Sequence, residues 1–178
     1  MTGVQTCALP IWRGLLLNVG LEPNLTLLTL DKHLKYGFLD GKSEAKALER
    51  SVRRFDIRAR DASVSVGQLS GGNQQKLMLG KTMEAEPDII IMDEPTRGID
   101  VGTKQQIYHI IAALAAEGKS IILISSEMQE VIGLSHRVLV MREGRLAGTL
   151  EGAEIAEAEI MRYAAGIKQD GNDERISA

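Results

Sequence analysis

Aromatic side chains are scarce, at 3% of the 178 residues. Any core must therefore be assembled from Leu, Ile, Val, Met and Ala, and an apolar fraction of 44% supplies enough of them for one domain. Cysteine is almost absent: Cys7 stands alone in the sequence. No apolar run approaches the roughly 18 residues of a membrane-spanning helix. Charge of one sign is also lacking. A net charge of −3 gives no whole-chain argument for nucleic acid or for an anionic membrane surface. No internal repeat is present, and the length suits one ordinary domain better than two.

Residues 1–11 (MTGVQTCALPI) need separate treatment. They resemble the translation of a sequencing-library adapter read into an open frame, and on that reading they carry no fold or targeting information. A short signal peptide would need a basic first segment and a longer apolar stretch, and neither is there. The adapter reading implies that the true N-terminus is missing. It also leaves the remainder cysteine-free, which fits a cytoplasmic protein without disulfides.

What is there is an alternation. Residues 12–30 are apolar apart from an interruption at Pro23 and Asn24, and read as a loop leading into a helix. In 39–57 a polar turn at 40–43 precedes a charged helix whose Ala45, Leu48, Val52 and Phe55 share one face. A polar linker at 60–66 follows. The pattern then predicts a helix over 73–83, a buried strand over 88–92, and a helix over 103–117 with Ile107, Ile110, Ile111 and Leu114 inside and Gly118 ending it. A buried strand over 120–125 and a short helix over 128–134 come next. Strands at 138–141 and 145–149 flank Glu143-Gly144, a tight hairpin turn. A small helix occupies 153–165, and the polar tail 168–178 is expected to be disordered. Strands alternating with helices indicate an α/β layered domain, its parallel sheet ending in an antiparallel hairpin.

Three segments can carry chemistry. In 69–76 (LSGGNQQK), Ser70 is a good helix N-cap. Gly71 and Gly72 leave backbone amides uncovered where the helix dipole favours a phosphate. On Ser-Gly-Gly alone, a capped helix after a flexible loop explains the segment equally well. In 89–94 (IIIMDE) an apolar strand delivers Asp93 and Glu94 to its carboxyl edge, where open α/β sheets bind ligands. A strand ending in solvated acids is the plain alternative. Two apparent phosphate loops fail. Residues 113–120 (ALAAEGKS) run from helix into strand, the reverse of the required order. Gly41-Lys42-Ser43 has Tyr36 where the first glycine is needed.

The full octamer resembles the signature motif of ABC-type ATPases, and 89–94 resembles their Walker B motif at close to the family's interval. Residues 95–100 (PTRGID) resemble the D-loop. The ending Asn-Gln-Gln-Lys is similar to that of the second nucleotide-binding domain of bacterial monosaccharide importers, and the likeness covers about 13–166. It implies a partial P-loop NTPase-like ABC ATPase domain, with a parallel-sheet core, a helical subdomain and a C-terminal β-hairpin. On that division 12–66 belongs to the helical subdomain, 67–150 to the catalytic core, and 151–178 to a C-terminal helix and tail.

The resemblance also assigns roles. Ser70, Gly71, Gly72, Asn73 and Gln74 would bind nucleotide, Asp93 would hold Mg²⁺, Glu94 would polarise the attacking water, and Asp100 would close the D-loop. Ser126 falls at the switch position, where the family normally has a histidine. A serine cannot make the imidazole's contact to the γ-phosphate, and the same replacement is a feature of the sugar-importer second domain. His33, His109 and His136 have no matching role and read as solvated or packing residues.

ABC domains work as head-to-tail pairs, each ATP lying between Walker A and B of one domain and the signature of the other. The resemblance therefore implies ATP and Mg²⁺ as cofactors. Its implied partners are the first nucleotide-binding domain of the same parent chain, membrane permease subunits and, indirectly, a periplasmic sugar-binding protein, with no nucleic acid. The expected place is the cytoplasmic face of the inner membrane, as a peripheral subunit. A non-transport ABC ATPase would call for long insertions or basic surfaces, and neither is found. A truncated, non-catalytic partner-binding module stays open. The sugar is not encoded here, with ribose, galactose and xylose equally open.

Overall fold

The computed structural model describes residues 4–8, 14–61 and 64–168. They form two compact units, Met1–Ile124 and Ser125–Ala178.

The first unit is built around the helix α3, Gly71–Glu84. Both sides of this helix are covered: Leu77 and Leu79 are fully buried, as are Leu21 and Leu25 of α1 (Leu21–Thr26). Burial of that kind is worth about 1.5–3 kcal/mol per leucine. Gly80 permits the close approach. A Cβ there would lie 3.2 Å from Leu25 and 3.5 Å from both Phe55 and Ser51 of α2 (Gly41–Phe55).

Below α3 runs a parallel sheet of β1 (Val4–Ala8), β4 (Ile89–Asp93) and β5 (Ser120–Ile124), in the order β1-β4-β5. The crossover helix α4 (Val101–Ala116) buries Ile107, Ile111 and Leu114. Gly118, at φ +88, ends it as the sequence predicts.

Several expectations are corrected. Val4–Ala8, expected to carry no fold information, pairs in register with Ile89–Asp93. The edge of β4 offers unpaired backbone groups that an extended segment can satisfy. Pro23 and Asn24, which interrupt the apolar run, sit in α1. Proline is tolerated in a first turn, where its missing N–H has no helical partner. Asn24 is fully buried and binds the preceding loop, accepting from Leu16 N at 2.7 Å and donating to Gly20 O at 2.9 Å.

The buried face of α2 is Ala47, Leu48, Ser51 and Phe55, so Ala45 and Val52 fall outside it. Between α1 and α2 lies an unforeseen hairpin, β2 (Leu34–Lys35) with β3 (Phe38–Leu39). It turns through Tyr36 (φ 52) and Gly37 (φ 83), the all-positive geometry that matches strand twist. His33, read as a solvated or packing residue, is buried, its Nδ1 2.9 Å from Ser43 Oγ. Strand β5, expected to be buried, leaves Ile122 and Ile124 each 51% exposed. Among the described residues its only ladder is to β4.

The second unit contains α5 (Met128–Leu134), the hairpin β6 (Arg137–Arg142) and β7 (Arg145–Glu151), and α6 (Glu157–Ala164). The hairpin turns at Glu143 (φ 50) and Gly144 (φ 76), as expected. It is a two-stranded sheet of its own rather than the end of the parallel one. Val138, Val140, Leu150, Ile160 and Tyr163 form its core. Gly148 is required there, because a Cβ would collide with the Tyr163 ring. The division at Ile124 falls inside 67–150, which the sequence treats as one core. Residues 169–178, the greater part of the expected disordered tail, lie outside the described residues, as do Trp12, Arg13, Ala62 and Ser63.

Candidate functional site

Ser70 caps α3. Its extended backbone (φ −62, ψ 154) places Oγ to accept from Asn73 N at 3.4 Å and from Asn73 Nδ2 at 2.9 Å. The first intrahelical bond runs from Gln74 N to Ser70 O at 2.9 Å, so the amides of Gly71 and Gly72 precede it. Nothing lies within 4 Å of where a Gly71 Cβ would stand. An anion therefore has room to approach the helix end at Gly71.

The polar side chains that follow are engaged internally. Asn73 Oδ1 accepts from Arg58 N at 2.8 Å. Gln74 Nε2 donates to Leu69 O at 3.0 Å and Val66 O at 3.2 Å. Lys76 is buried and donates through Nζ to Asp56 O at 2.8 Å, with the Asp56 carboxylate at 3.5 Å. Asp56, at φ 48, is the left-handed cap of α2. Arg58 and the Lys76 ammonium beside it hold its carboxyl below the usual range. Together these bonds tie the chain between α2 and α3 to the helix it leads into. A depression of about 420 Å³ opens beside Ser70 and Asn73, and Arg58 and Arg60 give its wall positive charge.

The acids lie at the carboxyl end of β4. Asp93 closes the strand, paired with Ile124 across the ladder. Glu94 adopts φ +49, a left-handed conformation costly for a residue with a side chain, and its N–H donates to Ile124 O at 2.8 Å. The bend turns the chain out of the sheet directly after the acids. Thr96 and Ile99 are buried beyond it. No group of three or more His, Cys, Asp or Glu that could hold a metal occurs among the described residues. The donor set at 93–94 suits a hard cation that takes its other oxygens from phosphate and water, as Mg²⁺ does.

Asp100 N-caps α4, accepting from Thr103 N at 3.0 Å and Thr103 Oγ1 at 2.8 Å. Those two donors depress its carboxyl pKa. Thr103 also faces Gly72. A Cβ on Gly72 would overlap the Thr103 methyl and lie 3.1 Å from its Cβ. The fold thus joins the first turn of α3 to the segment ending at Asp100, through Thr103, which the sequence alone does not single out. The cap pattern Asp-x-x-Thr is its one visible trace. Ser126 belongs to the second unit, in a bend before α5.

Solved structures of ATP-binding cassettes share the fold of this chain. A dimeric ATP-binding cassette in a post-hydrolysis state bound to ADP and Pi superposes with TM-score 0.71 at 20% identity, over 84% of this chain and 63% of that one. A nucleotide-free cassette from an ABC transporter gives 0.73 at 19%, over 89% and 65%. The model of the ABC transporter family matches residues 15–97.

Its curated relatives are sugar-import proteins. The ribose import ATP-binding protein of Yersinia pestis is 44% identical over 162 residues, 91% of this chain and 32% of the relative. The galactose/methyl galactoside import ATP-binding protein of Clostridium tetani is 47% identical over 142 residues, 79% of this chain and 28% of the relative. The chain thus spans about a third of the length of the curated relatives it matches.

Proposed function

We propose that this chain is part of the ATP-hydrolysing subunit of a monosaccharide importer, and that its signature end completes an ATP site held mainly by a partner domain. The observation that carries this is the Ser70-capped start of α3, where the Gly71 and Gly72 amides precede the first intrahelical bond and the space beside Gly71 is open. No residue pattern in the chain makes a phosphate loop, so the nucleotide that these amides meet is bound elsewhere.

In this reading Ser70, Gly71 and Gly72 face the phosphates, while Asn73 and Gln74 act by holding the loop that presents them. Mg²⁺ bound at Asp93 would supply charge neutralisation on the phosphates. Glu94 accepts a hydrogen bond from the water that attacks, orienting it. Those acids belong to a second site, weakened by Ser126 at the switch position. The partners are a first nucleotide-binding domain, a membrane permease and, through it, a sugar-binding protein. The subunit sits against the cytoplasmic face of the membrane, and no helix among the described residues is long and apolar enough to cross it.

Steady-state ATP hydrolysis by the full-length parent tests the assignment. Ser70→Arg, which places a bulky cation over the amides, is expected to abolish hydrolysis, and Glu94→Gln to have the smaller effect. The opposite ranking refutes the division of roles. Residues 12–178 alone should bind ATP weakly, and calorimetry showing micromolar affinity would count against the partner-held site.

A further inference from the structure

We propose that Thr103 is a positioning residue that locks the signature end of α3 to the segment ending at Asp100, so that the two move as one block. Its side chain has two anchored arms. Oγ1 donates to Asp100 Oδ2 at 2.8 Å, and the backbone N–H of the same residue donates to Asp100 Oδ1 at 3.0 Å. Both carboxylate oxygens are thereby taken up by one residue. Threonine is branched at Cβ, so holding Oγ1 also sets the direction of the methyl. That methyl fills the space over Gly72, which is buried against it.

The consequence is mechanical. Any side chain at Gly72 must drive the Thr103 methyl away. The short branched side chain can yield only by rotating about χ1, which breaks its bond to Asp100. A displacement of Asp100 likewise rotates Thr103 against the first turn of α3. Gly72 is thus glycine because it seats Thr103. The seat is a property of this chain. That it serves ATP hydrolysis rests on the function proposed above.

The seat is tested on this chain by NMR titration of the Asp100 carboxyl. Gly72→Ala, a change in another helix, is expected to raise the Asp100 midpoint, because Thr103 is pushed off it. Adding Thr103→Ser removes the methyl, the one overlapping atom, and keeps the hydroxyl and Cβ at 3.2 and 3.1 Å, so Gly72→Ala with Thr103→Ser should bring the midpoint most of the way back. An unmoved midpoint in Gly72→Ala, or a shift that persists in full with Thr103→Ser, overturns the link.

The positioning role is tested in the full-length parent. Thr103→Val keeps the methyl and loses the hydroxyl, and it should lower kcat about tenfold with KM within about twofold. Unchanged kcat overturns the role in hydrolysis. Ser70→Arg run in parallel separates the two ideas. If it leaves hydrolysis intact, the signature reading fails, while the titrations still decide the Thr103 link.

Discussion

The two candidate motifs are held in opposite ways. At the signature end, side chains of the motif itself do the holding: Asn73 grips Arg58 N, Gln74 grips the two carbonyls before the helix, and Lys76 reaches the α2 cap at Asp56. At the carboxyl end of β4 the holding is done by backbone, through a ladder to β5 and a left-handed residue at Glu94. A motif end built on polar side chains is stiff but dependent on each partner. A motif end built on a strand is only as firm as its sheet, and here β5 shows half-exposed Ile122 and Ile124. The difference teaches that the octamer's polar letters shape the loop as much as they meet a ligand.

Changes at the signature end should therefore cost stability, and changes at the β5 edge should not. The largest effect is expected for Lys76→Met. It leaves Asp56 O without its buried donor and should lower unfolding free energy by about 2–3 kcal/mol in urea titrations. A loss under about 0.5 kcal/mol, the range of an ordinary surface change, would erase the contrast. Gln75 runs the other way. It is fully buried with neither amide atom partnered, so Gln75→Met should raise stability by about 1 kcal/mol in the same assay.

At the strand end, Ile122→Lys combined with Ile124→Lys should leave stability within about 0.5 kcal/mol. The same pair should suppress association measured by light scattering, since charge on an open edge opposes strand pairing. Equal scattering before and after would mean that this edge is not the sticky one.

The smallest effect concerns acid. Donors from Thr103 depress the Asp100 carboxyl in the folded state, so its contribution is present above the unfolded value of about 3.9 and is lost as pH falls through the folded value. Asp100→Asn should flatten the stability curve below about pH 4, followed by circular dichroism, and leave its slope near neutral pH unchanged.

Much of this was legible along the chain. Helices α3, α4 and α5 and strands β4 to β7 lie within a few residues of where periodicity and turn chemistry put them, and Gly118 and Glu143-Gly144 act as punctuation in both. Legibility failed where tertiary contacts overrode local pattern. The face of α2 turned because Ser51 packs beside Gly80 of α3, which no period reveals. Pro23 reads as a breaker until the start of α1 is known. The hairpin at 34–39 is too short to leave a pattern. Thr103 escaped because its importance depends on Gly72, far away in sequence.

The sequence by itself determined the family resemblance over about 13–166, the order of elements and the candidates Ser70, Gly71, Gly72, Asp93, Glu94, Asp100 and Ser126, because these rest on local spacing and residue type. Only the tertiary structure decided that Asn73, Gln74 and Lys76 bind their own loop, that Glu94 sits at a strained bend, and that Gly72 and Asp100 meet through one threonine. Hydrogen-bond partners and close approaches are set where distant segments touch, and a linear pattern carries no record of those meetings.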